Sequence, residues 1–283
     1  EDSRHDRRFG DDRIRNSKEE AEILTFNVDF EKTGKSGTLF YGIDGCWNDV
    51  TSQAQRRDIN IGEVTPTSTR YPSGGSLFYS GALYGNYKWD LGEKWVLNTG
   101  ARYSAVKLVA SSADEEVNTV NNQNVQLSSD DLLSEIDLFN QAITGSLSVV
   151  FNPNQATKLS GILSSGFRAP NVDDVGKVFE IDGDAIVIPN TELKPEYSYN
   201  QEIGIEQSLV ADAINLKLVG YHSYLTNAIV RDEVDFNGAE SLSFDGDELS
   251  LRSQVISSRA RLFGGSAQLR VSINKTWGLT STI

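Results

Sequence analysis

Apolar and polar residues alternate one by one along several stretches of this chain. In the first stretch Leu24, Phe26, Val28 and Phe30 alternate with polar residues such as Asn27. Successive side chains of a strand point to opposite faces, so this period of two predicts a strand with one apolar and one wet face. The same alternation recurs in residues 39–47, 81–89, 95–103, 143–151, 199–209 and 263–273, whereas in residues 214–230 both faces look equally apolar.

The connections between these predicted strands differ in length in a regular way. Short turns at residues 33–37, 90–94, 152–155, 211–213 and 274–278 alternate with long polar connections at 49–77, 111–138, 169–196 and 232–248. Globular β domains prefer short connections throughout, whereas a transmembrane barrel has short periplasmic turns and long extracellular loops. Several runs reach about 9–11 residues, the length that a tilted strand needs to cross a bilayer. The pattern predicts an all-β fold, a portion of an antiparallel transmembrane β-barrel with about ten strands.

Composition is consistent with a barrel wall and excludes several other classes. Only 38% of the residues are hydrophobic, and no window approaches the roughly 20 apolar residues of a spanning helix. A barrel needs only every second residue apolar. The formal charge of −14 disfavours nucleic acid as a partner. Aromatic residues near the short turns favour a ring at the membrane interface: Trp89, Trp95, Phe151 and Trp277.

No residues form a recognisable reactive or metal-binding set. The sequence has no nucleophile-elbow, zinc-protease, P-loop or Rossmann motif, which argues against an enzyme and gives no catalytic or cofactor-binding residues. Cys46 is the single cysteine, and His5 and His222 are too far apart in sequence for a metal-binding motif. A surface β-sandwich or adhesin, a passive porin and a barrel-borne protease or lipase remain alternatives. Solubility without detergent would favour the sandwich.

Two phrases resemble the C-terminal barrel region of TonB-dependent outer-membrane receptors. The first is GFRAPN at residues 166–171, and the second is NTELKPEYSYNQEIG at residues 190–204. The matching residues are Gly166, Phe167, Arg168, Pro170, Asn190, Leu193, Lys194, Pro195, Glu196 and Gly204. The resemblance implies a barrel of about 22 strands in the outer membrane, surrounding a plug domain. It further implies TonB-driven uptake of a ferric siderophore, haem, cobalamin or glycan, in contact with lipid and lipopolysaccharide.

The sequence departs from the full pattern of that family. About ten strands are predicted, and neither a plug nor a coupling motif precedes them. Residues 1–8 are not an apolar export signal, and the chain contains no methionine. Residues 1–283 are therefore expected to be a partial barrel domain that lacks its plug. Open strand edges are not tolerated in lipid, so we expect this piece alone not to transport.

One carboxylate is a candidate contact to the plug. Alternation places Ile203 and Ile205 towards lipid, so Glu202 is expected to face the lumen, where a carboxylate needs water or a partner. In the family the glutamate of this E-x-G phrase faces arginines of the plug, which makes Glu202 the candidate. A second family carboxylate would fall near Ser266, where this sequence has no acid. A solvated lumen glutamate is the alternative interpretation.

Overall fold

The computed structural model describes most of the chain. The described residues are 2–6, 12–66, 69, 71–111, 119–120, 126–127, 135–176, 179–181, 185–210, 213–235, 240–244 and 247–283. The long strands are β2 (Arg13–Thr33), β3 (Gly37–Asp58), β5 (Ser76–Leu91), β6 (Trp95–Ala110), β9 (Ile136–Asn154), β10 (Thr157–Arg168), β13 (Glu196–Leu209), β14 (Ile214–Glu233) and β16 (Asp247–Ser272). The shorter elements are β1 (Asp2–Asp6), β4 (Val64–Pro66), β7 (Thr119–Val120), β8 (Gln126–Leu127), helix α1 (Val172–Val175), β11 (Phe179–Ile181), β12 (Ala185–Ile188), β15 (Ser241–Phe244) and β17 (Gly278–Thr282).

Each long strand pairs with the next long strand in sequence, and every one of these pairs is antiparallel. The order runs β2, β3, β5, β6, β9, β10, β13, β14, β16 and then β17. The short strand β12 is different, because it pairs in parallel with β16. The predicted all-β, antiparallel fold is confirmed.

The two faces of this sheet have different chemistry. Cross-strand partners share a face, so the register defines an apolar face through Phe26 and Gly45, Tyr103 and Ile143, and Ile203 and Gly220. The opposite, polar face carries the residues in between, such as Asn27, Asp44, Ser104 and Thr144. The unassigned alternation of β14 is resolved: Leu216 and Leu218 lie on the apolar face, and Val219 and Tyr221 on the polar one.

The apolar face is not a protein core. Phe26 is 55% exposed, Ile143 is 77% exposed and Phe263 is 79% exposed. A β-sandwich would bury such rows between two sheets. Here the rows remain uncovered along one continuous sheet, as expected of a wall that contacts lipid rather than water.

In the described part of the chain, the short turns that join consecutive long strands lie at one end of the sheet, and the long connections between long strands lie at the other. The strands extend further toward the long connections than their apolar alternation predicted. The connection expected at residues 49–77 is in part strand, since β3 continues to Asp58 and pairs with the beginning of β2. Likewise β14 and β16 extend into the acidic connection expected at 232–248. Backbone hydrogen bonds sustain these extensions without an apolar row, which is why the alternation did not reveal them.

A small hydrophobic core lies on the polar face at the end with the long connections. Leu108, Ala110 and Ile136 come from the strands, whereas Val175 and Leu193 come from the connection between β10 and β13. That connection also contributes β12, whose four residues are all buried. The described residues of the connection at 169–196 are therefore folded and packed against the sheet, whereas composition predicted an open polar loop.

Candidate functional site

The resemblance motif surrounds a charged anchor where β10 enters its long connection. The Arg168 guanidinium donates two hydrogen bonds to Asp174, with N···O distances of 2.8 and 2.6 Å, and one to Glu196. Arg168 and Glu196 are direct partners in the β10–β13 register. The Asp174 and Glu196 side chains are 10% and 16% exposed, whereas that of Arg168 is 46% exposed. The two mostly buried carboxylates thus accept all three hydrogen bonds from one guanidinium, which holds them at the end of β10.

The same residues fix the start of the connection as a helical turn. The backbone N–H of Asp174 donates to the Asn171 side chain at 3.0 Å, and the N–H of Asn171 donates to the Asp174 carboxylate at 3.0 Å. This reciprocal pair is a capping box, which satisfies two backbone donors at the start of α1. Because Asp174 also accepts from Arg168, the turn is attached to the end of β10. Pro170 is fully buried beside it.

The second motif phrase holds the other end of the connection. Asn190 donates to the carbonyl of Gln254 at 2.9 Å, and Leu193 is buried in the hydrophobic core. The Pro195 carbonyl accepts from Asn227 at 3.1 Å, and Glu196 accepts from the Ile229 N–H at 2.8 Å.

The remaining motif residues lie along the strands or at the surface. The Phe167 and Tyr197 rings are in contact, with centroids 5.6 Å apart. A Cβ on Gly166 would approach the Ser198 Oγ to 2.6 Å, and one on Gly204 would approach the Ser160 Oγ to 2.7 Å. Lys194 is exposed. Apart from Lys194, the structure places the motif residues in packing and hydrogen-bonding roles.

Glu202 lies on the polar face, where alternation placed it. It pairs with Ile162 on one side and with Tyr221 on the other. No side chain in the described part of the chain forms a hydrogen bond or ion pair with its carboxylate. Ser266 lies in the neighbouring row of the same face, opposite Val219.

A second polar cluster on this face was not predicted. Arg102 donates two hydrogen bonds to the Asp44 carboxylate, at 2.6 and 2.8 Å, and its guanidinium carbon lies 5.6 Å from the centre of the Tyr84 ring. The Tyr84 hydroxyl in turn donates to Asp29. Tyr84 reaches across Gly42, where a Cβ would lie 2.6 Å from its hydroxyl oxygen, so glycine is needed there. The cluster ties together four successive long strands.

A polar recess of about 300 Å³ adjoins Arg102 and is lined on the polar face by Asn86, Gly100, Thr144 and Ser146 among others. Alternation is enough to place each of these residues on the polar face, but the cross-strand register that brings them together is not visible in sequence. The arrangement offers hydrogen bonds and charge and is suited to noncovalent contact. Among the described residues, no group of three or more His, Cys, Asp or Glu side chains is placed to hold a metal ion.

Comparison with known proteins gives one family and many structural neighbours. The family model described as "TonB dependent receptor-like, beta-barrel" matches residues 2–283. A search of curated protein sequences finds no match. Within the described residues, no helix combines the length and apolarity that a membrane span requires.

Three solved structures illustrate the likeness in fold. The copper transporter OprC superposes with a TM-score of 0.69 at 14% identity, over 95% of this chain and 38% of that one. The hemophore receptor HasR of Serratia marcescens gives a TM-score of 0.60 at 14% identity, over 91% and 40%. FauA, the alcaligin outer membrane receptor of Bordetella pertussis, gives 0.53 at 12% identity, over 96% and 40%. The chain thus spans about two fifths of the length of these structures.

Proposed function

The chain belongs to the TonB-dependent receptor β-barrel family, and on that premise we propose that it forms wall strands of an outer-membrane uptake receptor. The observation that carries this proposal is the two-faced sheet: one face is apolar yet exposed, and the other is polar and charged. An exposed apolar face is stable against acyl chains and unstable in water. The segregation of short turns and long connections at opposite ends supports the same assignment.

We further propose that transport by the whole receptor requires a plug domain inside the barrel and energy from the TonB system. The nutrient would be a scarce compound that crosses the outer membrane poorly, such as a ferric siderophore, haem, cobalamin or glycan. The three structural neighbours carry names that refer to copper, to a hemophore with haem and to alcaligin. Such variety on one fold means that the ligand is set by local side chains and not by the wall itself.

Glu202 is our candidate for a direct contact between this wall and the plug. Its carboxylate faces the polar side and has no described protein partner, so it is available to a cation on another domain. The absence of an acid at Ser266 leaves Glu202 as the single carboxylate of the expected pair. Glu206 offers a comparison, because it lies on the same strand and face but already accepts a hydrogen bond from Asn215 at 3.1 Å.

The test compares Glu202→Gln with Glu206→Gln in the full-length receptor. Receptor-dependent growth on the limiting nutrient measures transport. Thermal unfolding of the plug, monitored by limited proteolysis, measures how firmly the plug is docked. We expect Glu202→Gln to lower both uptake and plug stability, whereas Glu206→Gln leaves both near the wild-type values. Unchanged uptake and plug stability in Glu202→Gln would exclude the contact. A full-length receptor that does not insert into outer-membrane lipid would exclude the proposed function itself.

A further inference from the structure

Charge is unevenly distributed on the polar face at the end of the sheet with the short turns. On β2 and β5 the charged residues nearest the turns are Glu31, Lys88 and Asp90. Lys88 and Asp90 form an ion pair with an N···O distance of 3.3 Å. The next two strands, β6 and β9, carry only uncharged polar-face residues in this region: Val96, Asn98, Ser148 and Val150. The other cations lie beyond this neutral stretch, on β10, β14 and β16.

Three cations lie close together in that second half. Lys158 of β10 and Lys217 of β14 are both cross-strand partners of Glu206 on β13. Arg270 of β16 lies one row nearer the turns, opposite Asn215. Neighbouring strands are about 4.8 Å apart, and alternate residues of one strand are about 6.7 Å apart. The backbone positions of adjacent cations are thus separated by about 8–10 Å, and side chains of this length can contact the same small molecule.

These three side chains have no carboxylate partner. Lys158, Lys217 and Arg270 are exposed and form no ion pair within the described part of the chain. Glu206 lies between the two lysines in the register, but its carboxylate accepts a hydrogen bond from Asn215 at 3.1 Å and pairs with neither. Acids on β5 are three strand spacings from β10, about 14 Å, which exceeds the screening length of about 8 Å. The cluster therefore carries three positive charges against one negative charge, in a chain of formal charge −14.

The cluster lies away from both the apolar face and the edges of the sheet. At this end β10 is paired with β9 and β13, β14 with β13 and β16, and β16 with β14 and β17. All three cations occupy the first or second polar-face position next to a turn. A compound that moves along the polar face away from the long connections would contact them last.

We propose that Lys158, Lys217 and Arg270, the exit cluster, bind anionic cargo as it leaves the polar face toward the periplasm. The receptor then transports a compound of net negative charge. This inference rests on the proposed uptake function and narrows its cargo to anions. Cations that line one wall raise the local concentration of an anion by roughly 10- to 1,000-fold. Exposed ion pairs are individually weak, so the cargo is also released readily.

The first experiment measures binding of a small polyanion to the purified full-length receptor in nonionic detergent. The probe is pyranine, a fluorescent dye with three sulfonate groups, and fluorescence anisotropy gives its Kd. One variant removes the charges through Lys158→Gln, Lys217→Gln and Arg270→Gln together. A second variant keeps them through Lys158→Arg, Lys217→Arg and Arg270→Lys. The matched control is Lys88→Gln, which removes a polar-face cation at the same end that already pairs with Asp90.

We expect the glutamine variant to bind pyranine at least roughly tenfold more weakly than the wild type. The charge-keeping variant and Lys88→Gln should bind within about twofold of the wild type, because the first retains every charge and the second removes a cation that is already neutralised. Added salt should weaken binding to the wild type more than binding to the glutamine variant.

The second experiment measures the initial rate of uptake, in cells, of the nutrient that supports receptor-dependent growth. The glutamine variant should take it up at least about threefold more slowly, with unchanged affinity at the cell surface, because the exit cluster acts after entry. Thermal unfolding of its plug should match the wild type. Electrophoresis of the nutrient at neutral pH should show net negative charge.

Three results would overturn the inference. One is absence of pyranine binding to the wild type, which would mean that acids of the plug already hold the three cations. Another is an equal loss of binding in the charge-keeping variant, and the third is a nutrient without net negative charge. Each of these results, in a wild-type receptor that inserts into vesicles and takes up its nutrient, would leave the proposed function intact. Failure of the wild type to insert would remove both.

Discussion

Replacing Arg168 with glutamine is expected to release the connection between β10 and β13 from the wall. Arg168 makes three charge-assisted hydrogen bonds to two carboxylates that are mostly buried. A hydrogen bond to a charged group contributes about 1.5–3 kcal/mol, but the arginine is 46% exposed and solvent screens it. We therefore estimate a local loss of about 2–3 kcal/mol, well below the sum of three full bonds.

Hydrogen exchange in the full-length receptor measures this loss directly. The amides of Asp174, Val175 and Gly176 donate to Asn171 and Val172 within the anchored turn. A local loss of about 2–3 kcal/mol should speed their exchange roughly 30- to 150-fold, since each 1.4 kcal/mol is a factor of ten. Strand amides of β9 should be unaffected. The matched control is Lys194→Gln, an exposed cation of the same motif. Exchange of these amides at wild-type rates in Arg168→Gln, or equal acceleration in the control, would refute the anchor.

Two further predictions concern the core and the apolar face. Leu193→Ala should destabilise the packed connection by about 2–5 kcal/mol, because Leu193 is only 5% exposed and truncating its side chain leaves a cavity. A local melting transition unchanged from the wild type would contradict this prediction. Ile143→Arg should destabilise the receptor in lipid vesicles by about 2–4 kcal/mol, whereas Ser146→Arg on the polar face of the same strand should change the unfolding free energy little. Equal sensitivity of the two positions in denaturant titrations would mean that β9 does not present Ile143 to lipid.

The two faces of the sheet could be predicted because they depend on local order alone. Phe26 and Val28 fall on one face whatever the rest of the chain does, since a strand alternates at every residue. The same holds for Glu202, whose placement needed only its neighbours Ile203 and Ile205. Strand length was underestimated where β2 and β3 continue through polar residues, because backbone pairing there needs no apolar row.

The sequence could not predict side-chain contacts between strands that are far apart in the chain, because these contacts depend on the register of every strand pair between them. The Tyr84 hydroxyl bonds Asp29 across 55 positions of sequence, and Arg102 reaches Asp44 across 58. A shift of one residue in any intervening pair would turn one partner to the other face. The burial of Val175 and Leu193 was missed for a related reason, since their connection looked polar on average and its few apolar residues had no periodicity. The motif identified residues of importance, but only the structure shows that Arg168, Asn190 and Glu196 hold the connection in place.

Because strands that follow each other in sequence also pair with each other, the sheet tolerates insertions in some connections and not in others. Each hairpin closes a local stretch of chain, so its formation does not wait for distant segments. Doubling the length of a flexible loop costs only about 0.6 kcal/mol in closure entropy, so the long connections other than 169–196 are natural places for evolutionary diversification or for grafted epitopes. A single residue inserted into the turn at Gly92 is different, because it offsets the β5–β6 register and exchanges the lipid-facing row for the wet one.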